Sequence, residues 1–263
     1  LVFRKNTDYF QKDSIGNSLP YLESVAITFL QDKQSEFLQF IQGNLDFVSG
    51  LDDSYKDVVI STKGKLKKEY VNKINLIRGP YLNTEYLAFY LDSNKDEIKS
   101  EILRKAVNYG FDRNQMIKYL RNGIGTAANG GFIPIGLPGY SDKIGYTYNP
   151  DYAKELINQY KRDSKEIPYL KLTTTSNYLV FCEFIQKELE KIGLQIAIDV
   201  IPGASLKEAK ANGKLDFFRA SWVADYPDAE NYLSLFYSKN FAPRGPNYTH
   251  FIDKEFDVLY ESA

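Results

Sequence analysis

Four charged side chains, Arg219, Asp225, Asp228 and Glu230, crowd one short stretch around the only tryptophan, Trp222. A carboxylate beside a large aromatic can receive a ligand's ammonium, because the ring supplies an apolar shelf and the acid a charge partner. Asp225 is the acid placed for this. It follows the alternating run Asp216-Phe217-Phe218-Arg219-Ala220-Ser221-Trp222, which predicts a strand with two unlike faces. Tyr226-Pro227-Asp228 then ends the strand, since proline fixes φ and removes a ladder donor. The same residues also read as a plain turn, with Asp225 capping its own backbone and Trp222 in the core. Both readings stand on these residues alone. Paired carboxylates from Asp225, Asp228 and Glu230 could in principle hydrolyse a glycoside. Acids grouped around a Tyr-Pro turn are more usually turn and cap residues.

Other chemistries find less support. Gly123-Ile124-Gly125-Thr126-Ala127-Ala128 fits the loose dinucleotide pattern G-x-G-x-x-A, but a helix precedes it and a loop follows, the reverse of what that pattern needs. A helix C-terminus explains it better. Lys63-Gly64-Lys65-Leu66 lacks the spacing and hydroxyl of a phosphate loop. The single histidine, His250, sits between Thr249 and Phe251 with no nucleophile elbow in the chain, so a Ser-His-Asp set is not expected. One histidine and one cysteine, Cys182, also leave little for a metal site and rule out an internal disulfide. No catalytic residue, metal ligand or cofactor is expected.

Composition narrows the class further. An apolar share of 43% across 263 residues is ample for a core, in one large domain or two smaller ones. A net charge of −1 argues against nucleic acid, which needs a basic surplus. Tyrosine is abundant, at 21 residues, and its apolar body and polar tip suit wet clefts. Lys63, Lys65, Lys67 and Lys68 read as a solvated edge or loop. No apolar run approaches the roughly 18 residues that span a bilayer. No leader opens the chain, whose start, Leu1-Val2-Phe3-Arg4, reads as mid-strand, so a fragment is expected.

The elements that must position Asp225 alternate between β and α. Strands are expected at the start, at Val25–Leu30 and briefly at Leu45–Val48. A short helix is expected at Ser35–Ile41, with Phe37, Leu38 and Ile41 inward, and another from Asp52 to Ile60. Arg78-Gly79-Pro80 marks a boundary. A strand over Tyr86–Leu91 precedes an amphipathic helix carrying Ile98, Ile102, Leu103, Ala106 and Val107. Asp112 and Gln115 resemble a capping box that opens the next helix. Residues 127–148 form a loop. Asn149-Pro150 starts a helix with Ala153, Leu156, Ile157 and Tyr160 inward. From residue 169 the order is strand, helix, strand, short helix, strand, which predicts a βαβ unit with parallel strands. The fold class is α/β.

Six stretches in order resemble the dipeptide- and oligopeptide-binding solute receptors of bacterial ABC transporters, extracellular solute-binding family 5. They are Asn6-Thr7-Asp8-Tyr9-Phe10; Ile41-Gln42-Gly43-Asn44-Leu45-Asp46; Leu103-Arg104-Lys105-Ala106-Val107-Asn108-Tyr109-Gly110-Phe111-Asp112-Arg113; Tyr148-Asn149-Pro150-Asp151-Tyr152-Ala153-Lys154; Ile185 through Leu194; and Trp222-Val223-Ala224-Asp225-Tyr226-Pro227-Asp228. Each is weak singly, and their order makes the resemblance specific. It implies a two-lobed, periplasmic-binding-protein-like fold of type II. Residues 1–85 would be the tail of the first lobe and 86–263 most of the second. It implies an extracytoplasmic, periplasmic or cell-surface protein that delivers a short peptide to ABC permease subunits, held to the membrane only through an anchor absent from this chain. By the same resemblance Asp225 meets the ligand's α-ammonium beside Trp222, Arg219 can meet a ligand carboxylate, and Tyr226 completes the set. Other solutes, such as a sugar, an opine or a metal chelate, fit the same fold. Ala229 stands where many relatives have proline, which loosens the turn without touching the acid.

Overall fold

The computed structural model describes residues 1–30, 32–49, 53–79 and 81–263. The chain divides into two compact units, Leu1–Val59 and Ile60–Ala263. In the first, β1 (Val2–Arg4) and β2 (Ser24–Ala26) form an antiparallel ribbon, followed by α1 (Lys33–Ile41) and α2 (Asp53–Val59). Asp32 caps α1 by accepting the Ser35 N–H at 2.7 Å, satisfying one of the free amides of the first turn. Phe37 is buried and stacks on Tyr55, with ring centroids 4.8 Å apart. Leu38 and Ile41, expected inward, are exposed, because α1 buries only a narrow stripe. Leu45–Val48 is not a strand; four residues of mixed pattern have no neighbouring strand to pair with among the described residues. The expected helix start at Asp52 and the Pro80 of the expected boundary lie outside the described residues.

The second unit is built on a four-stranded sheet. In chain order its elements are β3 (Asn83–Phe89), α3 (Asp96–Lys99), α4 (Glu101–Tyr109), α5 (Arg113–Arg121), α6 (Pro150–Ser164), β4 (Tyr169–Thr174), α7 (Leu179–Lys191), β5 (Gln195–Val200), α8 (Gly203–Ala211), β6 (Phe217–Val223), α9 (Glu230–Leu233) and α10 (Lys254–Ser262). The strand order is β3-β6-β4-β5. β4 runs parallel to both β5 and β6, the arrangement the alternating sequence predicts, while β3 runs antiparallel to β6. The β6 ladders are unequal in length. With β3 it pairs along its whole length, Phe217 to Val223, but with β4 only at Phe217 and Phe218.

The core lies mainly on one face of this sheet. Leu103, Ala106 and Val107 of α4, Ala153, Leu156, Ile157 and Tyr160 of α6, and Ile185 and Leu189 of α7 pack with Phe89, Leu172 and Phe217. Full burial of each Leu, Ile or Phe side chain contributes roughly 1.5–3 kcal/mol. Local signals set the helix starts. Asn149 accepts the Tyr152 N–H ahead of Pro150, and Asp112 accepts the Gln115 N–H. The amphipathic stripe beginning at Ile98 is two helices rather than one. Ser100 is extended (φ −66°, ψ 111°), and its hydroxyl caps α4 through the Leu103 N–H. Gly110, at the C-cap of α4, leaves room for the Leu189 side chain of α7, since a Cβ there would lie 2.6 Å from Leu189 Cδ2.

The opposite face carries Ala88, Phe218 and Ala220, with Tyr86, Leu215 and Tyr248 against them. Phe132 packs edge-on to Tyr86, Tyr232 and Phe236. The chain beyond β6 therefore covers the face from which Trp222 projects.

Candidate functional site

β6 alternates as its sequence predicts. Phe218, Ala220 and Trp222 lie on one face, opposite Ala88, Tyr86 and Thr84 of β3; Phe217, Arg219 and Ser221 lie on the other. The carboxyl ends of β4, β5 and β6 share one edge of the sheet, where open α/β sheets receive ligands. Asp225 follows β6 at that edge.

Asn231 of α9 organises the turn. It is buried, and its Oδ1 accepts both the Trp222 indole N–H at 2.8 Å and the Asp225 backbone N–H at 3.2 Å. Trp222 is partly buried. Asp225 itself is exposed, and its carboxylate has no hydrogen bond or ion pair among the described residues. An acid whose backbone is fixed while its side chain faces water is free to meet an incoming cation.

The neighbouring acids are already engaged. Asp228 Oδ1 accepts the Glu230 N–H at 2.8 Å, as a turn residue does. Glu230 accepts the hydroxyls of Tyr226 and Tyr260, one on each carboxylate oxygen. The Glu230 carboxylate raises the Tyr226 phenol above its ordinary pKa. Tyr260 is also raised, first by burial and then by Glu230. Tyr226 is thus present at the turn, but its hydroxyl is committed to Glu230. A hydrolytic carboxylate pair finds little here, since Glu230 bridges two tyrosines and Asp228 caps a backbone amide.

Arg219 lies on the other face, with its side chain 13% exposed. Its guanidinium stands 3.2 Å over the Tyr178 ring and its Nη2 donates to Glu85 of β3. Glu85 is held from its second oxygen by Asn83 Nδ2 at 2.8 Å. The Nε of Arg219 is buried without a partner among the described residues. Burial lowers the Arg219 pKa to about 10, which leaves it charged at neutral pH. The structure brings Trp222, Asp225 and Tyr226 together around Asn231, and places Arg219 in a separate cluster with Glu85 and Tyr178. Sequence reading missed Asn231 and Glu85. The chance to find Asn231 lay in its position six residues after Asp225; Glu85 is 134 residues from Arg219 and carries no local signal.

His250 is occupied elsewhere. Its Nδ1 lies 2.6 Å from Asp92 and its Nε2 3.1 Å from the Ala242 carbonyl, with the ring stacked on Phe241. Among the described residues no group of three His, Cys, Asp or Glu side chains could hold a metal ion. Among them, too, no helix is long and apolar enough to cross a membrane.

Comparison with known proteins places these features in a lineage. The family profile for bacterial extracellular solute-binding proteins, family 5 (middle region), matches residues 1–243. A probable D,D-dipeptide-binding periplasmic protein of Escherichia coli is 24% identical over 250 residues, covering 94% of this chain and 46% of the relative. A dipeptide-binding protein of Escherichia coli is 29% identical over 199 residues, covering 72% of this chain and 36% of the relative. The chain thus spans about half the length of such relatives, or less. Among solved structures, an ABC transporter-associated periplasmic binding protein of Helicobacter pylori in complex with a peptide superposes with a TM-score of 0.79 at 22% identity. That match covers 99% of this chain and 48% of the other, and it shows the fold.

Proposed function

Because this chain belongs to the bacterial extracellular solute-binding proteins, family 5, we propose that it captures short peptides outside the cytoplasm for delivery to the membrane subunits of an ABC importer. Residues 86–263 are read as most of the second lobe of a two-lobed receptor and residues 1–85 as the tail of the first. In this reading the protein binds and releases its solute without turning it over.

Asp225 carries the proposal. Its carboxylate is unpaired among the described residues, its backbone is fixed by Asn231, and Trp222 lies beside it on the same support. A peptide's α-ammonium is the ligand group that pairs with such an acid, and the indole supplies an apolar wall for the first residue. Relatives named for dipeptides support the same choice of solute. Tyr226 stands at the same turn with its hydroxyl engaged by Glu230, and Arg219, on the other face of β6, is engaged by Glu85.

Native mass spectrometry of the full-length protein, purified without denaturation, tests this. A short-peptide adduct that is lost to competition by free-amine peptides, and not by their N-acetylated forms, is the expected result. A bound sugar, opine or metal chelate would assign another solute to the fold. Turnover of a glycoside or ester would make the protein a hydrolase.

A further inference from the structure

We propose that Glu85 is a specificity residue: it occupies Arg219 as an internal carboxylate, so that the site reads a ligand's ammonium without also requiring its carboxylate. The proposal rests on the peptide-binding reading of Asp225 and concerns which peptides, and which ends of them, are read.

The geometry is that of an anion site with an internal carboxylate already on one of its donors. An arginine that awaits a ligand carboxylate presents free N–H donors towards solvent, in the planar fork that suits two oxygens. Arg219 does not. The Tyr178 ring covers one face of its guanidinium at 3.2 Å. Nη2 donates to one oxygen of Glu85, and only 13% of the arginine side chain remains exposed. Glu85 is itself held in place, because Asn83 Nδ2 donates to its other oxygen at 2.8 Å. The pairing is built into the sheet. Glu85 stands opposite Ser221, two residues along β6 from Arg219, so the two side chains meet diagonally on one face. A guanidinium so buried needs a counter-ion, and breaking such a pair leaves an uncompensated charge.

The consequence is a selective one. With Arg219 neutralised from within, Asp225 is left as an exposed carboxylate with no hydrogen bond or ion pair among the described residues. The ligand class it fits has a free amine and carries its carboxylate elsewhere, blocked, or several residues away. A ligand that must be held by both charges over a short span fits it poorly.

Two measurements on the full-length protein test this. The first needs no peptide: thermal unfolding of Glu85→Ala with and without formate, against chloride at equal ionic strength. Glu85→Ala is expected to lower Tm, formate to restore most of the loss by taking the vacated place on Arg219, and the double variant Glu85→Ala, Arg219→Met to show no formate effect. No loss of Tm, or equal formate effects in the single and double variants, overturns the proposal. The second is calorimetry with trialanine and trialanine amide, using the isosteric Glu85→Gln so that folding is preserved. The parent protein is expected to bind the two within about twofold, and Glu85→Gln to favour the free acid by about tenfold, the gain of one charge-assisted hydrogen bond. A parent that favours the acid by about tenfold or more, and loses that preference in Arg219→Met, would show that Arg219 serves the ligand and would sink the proposal. If formate rescues Glu85→Ala while neither peptide binds, the internal pair stands and the peptide reading falls.

Discussion

Asn231 accepts the indole N–H of Trp222 at 2.8 Å, so a residue of a four-residue helix fixes the orientation of the only tryptophan in the protein. The same oxygen accepts the Asp225 amide. One amide side chain therefore sets both the ring and the acid of the candidate site.

Removing that oxygen exposes the dependence. Asn231→Ala leaves two donors without their partner and is expected to cost about 1–3 kcal/mol in urea unfolding, the penalty for an unsatisfied buried donor. Because Trp222 is the sole indole, its emission should shift to the red as the ring N–H turns to water. Unchanged emission and unchanged stability would show that the bond does not hold the ring.

Asp225 should separate stability from binding. Its carboxylate engages no described residue, so Asp225→Asn should change stability by no more than about 0.5 kcal/mol. Affinity of the full-length protein for free-amine peptides should fall by about 2–5 kcal/mol, the loss for one partner of a desolvated charge pair. Equal affinity by calorimetry would remove Asp225 from the site.

The side chains of Leu189 and Ile192 crowd the backbone at Gly110. A Cβ there would lie 2.6 Å from Leu189 Cδ2, 2.7 Å from the Ala106 carbonyl oxygen and 2.8 Å from Ile192 Cδ1. Gly110→Ala is expected to destabilise the second unit by about 1–3 kcal/mol, as overpacking does. A midpoint equal to the parent in denaturant would contradict this.

In the first unit, Asp13 gives a pH dependence. Hydrogen bonds from Tyr21, then from Asn17, lower its pKa from 3.8 to about 2. A depressed folded-state value means its stabilising contribution is complete above the unfolded pKa and is lost as pH falls through the folded one. The turn around Ile15 and Asn17, whose amides donate to Asp13, should therefore loosen between about pH 4 and pH 2. Amide exchange by NMR across that range checks it; protection unchanged down to pH 2 would refute the coupling.

How much of this was legible follows from range. Asp112 and Asn149 announce their helices within three residues, and the alternation from Asp216 to Trp222 announces β6, because caps and pleats are local. The turn acid Asp225 was legible for the same reason. Glu85 was not, since its meeting with Arg219 depends on β3 joining the sheet beside β6, a decision of topology. The helices α9 and α10 also escaped, α9 being too short to show a period. Leu45–Val48 failed in the other direction: a few apolar residues resemble a strand, yet a strand exists only where a neighbour pairs with it.

The two ladders of β6 are unequal in length. Beyond Phe218 the strand keeps β3 on one flank and, among the described residues, has no strand neighbour on the other, up to Val223. That flank leads directly to Asp225, and its main-chain donors and acceptors repeat without regard to side chain. A guest chain lying there in extended form could borrow the sheet's own hydrogen-bonding grammar, with its amino end at the acid and its sequence unread. Tolerance of many sequences would then be a property of where β4 stops.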